Sequence, residues 1–355
     1  MFGEAMTSKE LVLKTIMGET VPRFSSGPLA VHYTAALSGV SLRQYTLSAQ
    51  VMADCITRYY ELCQPDAIWV SADTWVTAEA MGSRVGFVDE HSPLGGIGEP
   101  LVRTACDIER IPEPQPDAQG RMPLIRQALT TVKQRLGDGV FVVGCFDQSP
   151  FSLACALMGI NELMVKLVDD APFVQALLQR CIDYAVAYGL YLADGGADML
   201  STGDSPAGLI GPTLYRRFAL PAEKTVFEEI RRRGNTLLSL HICGQVDDIL
   251  ADMAGTGCDV LEIDHKTDLQ KALNTVPKNV ALWGNLDPVA TLEQADVDQV
   301  LHAAADVLRQ VREQSRTRFV LSSGCTLTQA TPIENVRAMV SAAKTSAVYF
   351  RSRTD

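Results

Sequence analysis

Short apolar runs and longer amphipathic stretches alternate along this chain. The runs Asp66 to Asp73, Val140 to Asp147, Asp198 to Asp204, Leu237 to Leu240, Val260 to Asp264, Val280 to Asn285 and Arg318 to Ser323 are rich in Val, Ile, Leu, Phe and Trp. Such runs fit strands buried on both faces, as in a parallel sheet. Arg23 to Leu29 is a weaker extended segment ahead of them. The intervening stretches carry helix signals. Thr7-Ser8 followed by Glu10 resembles a capping box, and Gly18 closes that first helix. Further helices are expected around His32, Tyr33 and Leu37 and over Leu42 to Leu62, with breaks at Gly39 and Pro65. Others are expected over Pro123 to Leu136, Phe151 to Leu192 (interrupted near Gly159 and Pro172), Pro212 to Arg233 (with a break at Pro221), Val246 to Met253, from Asp268 onward, Asp296 to Glu313 and Pro332 to Val348. The Gly- and Pro-rich stretch Ala78 to Val102 reads as a hairpin excursion.

Eight strands with helices between most of them predict an α/β fold, a (β/α)8 TIM barrel with an N-terminal helical extension. Residues 1–355 then form one domain, with 1–64 contributing the N-terminal helices and first strand. An open doubly wound sheet is the alternative. No G-x-G-x-x-G or Walker loop follows any strand, so the nucleotide-binding version of that sheet lacks its phosphate cradle.

Length and charge narrow the classes. At 355 residues the chain is long for an ordinary domain but within the range of an α/β barrel. A net charge of −11, with Arg231-Arg232-Arg233 as the sole basic run, argues against a nucleic-acid partner. No apolar stretch reaches the ~18–20 residues of a membrane span, and Met1 to Glu10 lacks the pattern of a signal peptide. A cytoplasmic protein is expected, with no membrane partner. The nine cysteines are scattered and odd in number, which fits free thiols in a reducing compartment. The oligomeric state stays open, a homo-oligomer included.

The candidate chemistry lies at the strand ends. One strand delivers His241-Ile242-Cys243-Gly244, and another ends in Gly324-Cys325. In a parallel barrel both ends open on the same face, so an imidazole and two thiols would meet there. Three N/S ligands with a fourth position open are the pattern of a catalytic zinc. The same residues also fit two small buried thiols and a hydrogen-bonded core histidine. The mouth would also collect Asp73, Asp147, Asp204, Asp264 and Asn285, with His32, Tyr33, Trp69 and Trp75 nearby. Asp147 and Asp204 precede Gln-Ser-Pro and Ser-Pro and read as turn formers, whereas Asp73 is expected to face substrate. Asp264 is a candidate to orient a ligand histidine.

These segments resemble the uroporphyrinogen decarboxylase superfamily, and within it the zinc-dependent corrinoid methyltransferases. The resemblance rests on Pro65 to Asp73, Gln148 to Ala154, Gly196 to Ser205, His241 to Gly244, Trp283 to Pro288 and Ser323 to Cys325. It implies a (β/α)8 barrel and zinc ligands at His241, Cys243 and Cys325, and it aligns Asp73 with the family's pyrrole-binding aspartate. The decarboxylase branch carries an Arg-rich N-terminal segment, but Arg23 to Tyr33 holds one Arg here. Decarboxylation of a poly-anionic porphyrinogen is therefore not expected. The resemblance implies methyl transfer, with His241, Cys243, Cys325 and Asp73 as catalytic candidates. Their position at or near the strand ends makes His32, Tyr33, Trp69, Asp73, Asp204 and Asn285 substrate-binding candidates. Two directions are open: transfer to a thiol bound as thiolate, or demethylation of a small methylated donor toward Co(I). The aromatic, cation-poor mouth favours the second, with an aryl methyl ether as donor. The chain lacks the Asp-x-His-x-x-Gly signature of a corrinoid-binding domain, so a separate corrinoid protein would bring the corrinoid. Other readings are a non-catalytic zinc- or substrate-binding barrel, with Asp264 or Glu262 as a fourth ligand, and a decarboxylase acting on an unusual acid.

Overall fold

The computed structural model describes residues 6–347 apart from Gly96. Its centre is an eight-stranded sheet: β1 (Ser25–Ser26), β2 (Ala67–Val70), β3 (Phe141–Gln148), β4 (Met199–Gly203), β5 (Leu237–Ile242), β6 (Val260–Ile263), β7 (Ala281–Leu286) and β8 (Phe319–Ser323). The strands neighbour one another in the order β1-β8-β7-β6-β5-β4-β3-β2, and every pair is parallel. With crossover helices between most of them, this is the α/β barrel expected from the alternation of runs.

β1 is much shorter than Arg23 to Leu29. Pro22 and Pro28 bound that segment, and proline has no N–H for a ladder. The seam between β1 and β2 is held another way. The Asp66 backbone N–H donates to the Ser26 carbonyl at 2.9 Å. The buried Asp66 carboxylate accepts from the Ser26 N–H at 2.9 Å, the Ser8 hydroxyl at 2.8 Å and the two Arg23 guanidinium nitrogens at 2.8 and 2.7 Å. The one Arg of this N-terminal segment is thus a structural counter-ion, remote from the mouth.

Side chains fill the barrel interior. Trp69, Phe141, Val143, Met199, Val260, Trp283 and Val320 pack together, and Val12 and Ile16 of the N-terminal helix Ser8–Met17 join them. That helix has the expected capping box from Thr7 and Glu10 and ends at Gly18 in the left-handed region. Trp283 is fully buried, donates Nε1–H to the Gly27 carbonyl at 2.7 Å and stands edge-on to Trp69 at 6.1 Å. Gly27 makes room for it, because a Cβ there would lie 2.1 Å from the indole.

The helical layer departs from expectation in a few places. Leu42 to Leu62 is two helices, Leu42–Leu47 and Ala49–Cys63, because Ser48 leaves helical geometry and caps the second by accepting from the Val51 N–H. The break expected at Pro221 lies just before it, as a π-turn over Tyr215–Ala219 leading into Leu220–Arg233. Proline cannot donate, and a wider turn accommodates the lost bond. After β5 the helix is only Leu250–Ala254, since the chain first turns through Val246 to Ile249. The excursion after β2 begins with a helix, Val76–Met81, and its hairpin pairs Val85–Gly86 with Leu94–Gly95. The last helix is Ile333–Thr345, and Val348 lies outside the described residues. No single described helix is long and apolar enough to cross a membrane.

Candidate active site

His241 sits at the buried end of β5, and Cys243 follows as the chain leaves the strand. Gly244 then turns it with φ +94°, a region L side chains rarely adopt. Its N–H donates to Asp264 Oδ2 at 2.8 Å, while Asp264 Oδ1 accepts from the Lys266 N–H at 2.8 Å. Cys325 arrives from β8 through Gly324. A Cβ at Gly324 would lie 2.2 Å from the His265 backbone nitrogen, so only glycine lets these strand ends meet.

His241 Nδ1 lies 2.9 Å from the Glu262 carbonyl. A carbonyl can only accept, so Nδ1 carries the hydrogen and the Nε2 lone pair is left for a ligand. The Glu262 backbone, rather than the Asp264 carboxylate, therefore orients this imidazole. Nε2 is 3.0 Å from Cys243 Sγ, and Cys243 Sγ is 3.8 Å from Cys325 Sγ. An Asp264 oxygen joins these donors in a group that lies within 4.8 Å. A tetrahedral zinc with Zn–S bonds of about 2.3 Å holds its sulfurs roughly 3.8 Å apart, which matches the sulfur pair here. The donor set fits zinc in chemistry, and its sulfur pair in spacing. Cys325 beside it pulls the Cys243 thiol below its ordinary value, and Cys243 in turn pushes Cys325 up to about 12. Burial opposes a charged His241, but Cys325 and Glu262 together outweigh it and lift the imidazole to about 9.

The cluster forms part of the wall of a cavity of about 420 Å³ at the strand ends. The other walls include His32, Trp69 and Asp73 on one side and Cys145, Asp147 and Gln148 on β3. No Lys or Arg is among the described residues lining it. Asp73 is not a free anion. Arg121, itself buried, grips both its oxygens, with Nη2 at 3.1 Å from Oδ1, and also reaches Glu79 Oε2 at 2.6 Å. Asp73 Oδ1 further accepts from the Trp75 N–H at 2.8 Å. His32 Nε2 is 2.6 Å from the Ala72 carbonyl, so it donates there, and burial lowers the pKa of this ring.

Three substrate-binding candidates do not line the cavity. Tyr33 is fully buried and stands edge-on to Tyr59 at 6.0 Å, because helical periodicity turns it into the core while His32 faces the mouth. Asp204 is also fully buried, and Oδ1 accepts from the Ser152 N–H and hydroxyl at 2.6 and 2.7 Å. Burial lifts Asp204 to about 6, and it sits beside Glu223, whose own pKa is raised by burial and by Asp204. Asn285 donates to the Asp264 and Thr267 carbonyls at 3.2 Å each, which braces the loop after β6. Trp75 is covered by Gly95, where a Cβ would strike its ring at 1.8 Å.

Other residues at the cavity had no sequence signal for their role. Arg121 is 48 positions from the carboxylate it neutralises. Glu262 faces inward, where its Oε1 accepts from Ser201 and Ser239 rather than reaching the thiols, and burial raises its pKa. Asp147 caps no turn. It has φ +64°, and neither carboxyl oxygen has a hydrogen-bond partner among the described residues.

Residues 7–346 match the family described as uroporphyrinogen decarboxylase (URO-D). Relatives carry two names. The chain is 29% identical over 309 residues to a methylcobamide:CoM methyltransferase, MtbA, of Methanosarcina acetivorans, covering 86% of this chain and 88% of that protein. It is 30% identical over 287 residues to a uroporphyrinogen decarboxylase of Coxiella burnetii, covering 78% and 76%. A methyltransferase structure from Methanosarcina mazei superposes with TM-score 0.86 at 24% identity over 96% of this chain and 99% of that one, which attests the shared barrel. The chain belongs to the uroporphyrinogen decarboxylase family.

Proposed function

We propose that this enzyme is a zinc-dependent methyltransferase that takes a methyl group from a small uncharged donor, an aryl methyl ether, and passes it to the Co(I) of a corrinoid held by a separate protein. The observation that carries this is the cavity itself: a two-thiol, one-imidazole cluster forms one wall, and no Lys or Arg is among the described residues lining the rest. His241, Cys243 and Cys325 would hold the zinc. Asp264, with both oxygens engaged by backbone N–H groups, would support the loop and leave the fourth position to substrate. Bound zinc supplies Lewis acidity toward the oxygen that carries the methyl group.

The chain's own residues do the rest. The Glu262 carbonyl fixes the His241 tautomer. Trp69 offers a flat apolar wall for an aromatic ring. Leaving the donor, the carbon departs without the C–O electron pair, which stays on oxygen. Cobalt supplies the pair for the new bond, and the phenolate takes a proton from solvent.

The printed name of the MtbA relative favours a second reading, a thiol as methyl acceptor. A sulfonated thiol such as coenzyme M would want a cation beside it, and no Lys or Arg is among the described residues lining this cavity. One experiment separates them. Zinc content is measured together with methyl transfer from methoxy-aromatics to free Co(I) cobalamin. About one zinc per chain and methylcobalamin formation, both lost in Cys325→Ala, are expected. Zinc without transfer from any ether, but with methylation of thiols by methylcobalamin, would replace the demethylase by a thiol methyltransferase.

A further inference from the structure

Across the cavity from the thiols, the end of β3 carries a feature that the proposed chemistry does not use. The β3–β4 register shifts between Cys145 and Gln148, which marks an irregular insertion in the strand. Asp147 sits in it at φ +64°, one of three non-glycine residues with positive φ among the described residues. The residue is 5% exposed, lines the cavity, and has no partner on either carboxyl oxygen among the described residues. Gln148 Oε1 and the Trp69 indole N–H, both on residues lining the same cavity, are likewise unpartnered. The nearby cation, Arg121, is taken by Asp73 and Glu79.

Native proteins pair nearly all buried polar groups, so a strained, buried and unpartnered carboxyl on a residue lining the cavity points to a ligand. We propose that Asp147, with Gln148 and Trp69, is the specificity site for a hydroxyl group on the methyl donor. A hydroxyl both donates and accepts, and the wall offers acceptors on β3 and a donor on neighbouring β2. Burial, with Asp73 nearby, holds the Asp147 carboxyl well above its ordinary range. A neutral carboxyl without a counter-ion suits a neutral hydroxyl better than an ammonium.

The spacing also fits. Gln148 pairs with Gly203, and Gly203 with His241. Two strand spacings of about 4.8 Å put the two ends roughly 10 Å apart. One substituted ring could thus present its ether to the cluster and its hydroxyl to Asp147. The proposal rests on this cavity being the methyl-donor site.

The test uses the zinc-loaded full chain and calorimetric binding of 3-methoxyphenol, 1,3-dimethoxybenzene and 3-methoxybenzylammonium. Methyl transfer to cobalamin is measured separately. The phenol should bind at least tenfold tighter than the dimethyl ether. Asp147→Gly, which suits a positive φ, should erase that preference, and Asp147→Asn, which keeps a hydrogen-bonding group, should retain most of it. Unchanged zinc stoichiometry shows that the variants have folded. Equal affinities, no binding of either ether, or a preference that survives Asp147→Gly would overturn the assignment. So would tighter binding of the ammonium that collapses in Asp147→Asn. A phenol preference lost in Asp147→Gly, with no methyl transfer from any ether, would uphold the hydroxyl site while refuting the demethylase.

Discussion

Replacing Arg121 with Met tests how the acidic mouth is held together. The Arg121 and Asp73 side chains are 6% and 1% exposed. Removing the guanidinium leaves Asp73 buried without its counter-ion, with Asp147 nearby as a second carboxyl. Breaking a buried pair by deleting one partner costs about 3–5 kcal/mol, most of it the desolvation of the charge left behind. Glu79, 22% exposed at its side chain, can turn to water and adds little. An unfolding entropy of about 2.1 cal/mol/K per residue gives roughly 0.75 kcal/mol/K for 355 residues. The melting temperature should therefore fall by about 4–7 °C, read by calorimetry at neutral pH. Adding Asp73→Asn removes the stranded charge and should recover part of the loss. A fall below about 2 °C, or a double variant no more stable than the single one, would refute the account of Arg121 as the counter-ion on which this wall depends.

Other expectations concern the metal cluster and a buried acid pair. Cys325→Ala should reduce zinc from about one per chain to a minor fraction, measured by atomic absorption after dialysis. Asp264→Asn should keep stoichiometric zinc at saturation but weaken affinity by about 10–100-fold in a chelator competition, as for loss of a supporting hydrogen bond. Gly324→Ala should disturb the cluster without touching a ligand, because its methyl would collide with the His265 backbone; zinc affinity equal to wild type would contradict that. Asp204 and Glu223 both have raised pKa values in the fold, so the folded state holds a proton that the unfolded state releases. Their stabilisation is complete below an unfolded carboxyl pKa of about 4 and is lost as pH rises through about 6 and above. Glu223→Gln needs no proton to face Asp204. The melting temperature of wild type minus that of the variant should therefore drop between pH 4 and pH 8, and a constant difference would contradict the shared proton.

The barrel and the cluster were legible in the sequence for related reasons. A strand buried on both faces must be apolar along its length, so the runs marked themselves. A parallel barrel gathers strand ends on one face, so rare donor types at those ends, His241, Cys243 and Cys325, could be brought together without knowing any distance. The failures share another cause. Arg121 meets Asp73, and Asp66 meets Ser26, across separations of 48 and 40 residues that leave no local pattern. Asp204 escapes the sequence because a strand-end carboxylate reads the same whether it faces the mouth or turns back onto Ser152. Gln-Ser-Pro after Asp147 reads as a turn, but Ser149 precedes the helix Pro150–Met158 as its N-cap and Asp147 sits in the irregular strand end. Tyr33 follows His32, and adjacent helical positions face different ways.

The seam between β1 and β2 has a mechanical consequence. A barrel resembles a hoop, and this one is fastened by a buckle: one carboxylate, one backbone hydrogen bond and a two-residue strand. The strands carrying the thiols and imidazole, β5 to β8, are joined to one another by continuous ladders, with β8 bordering β1 and β5 farthest from the seam. Under native hydrogen exchange the hoop should part at its buckle first, with the Ser26 amide exchanging well before those of Leu240 and Leu282. Opening there would loosen the floor while the rim from β5 to β7 keeps its shape.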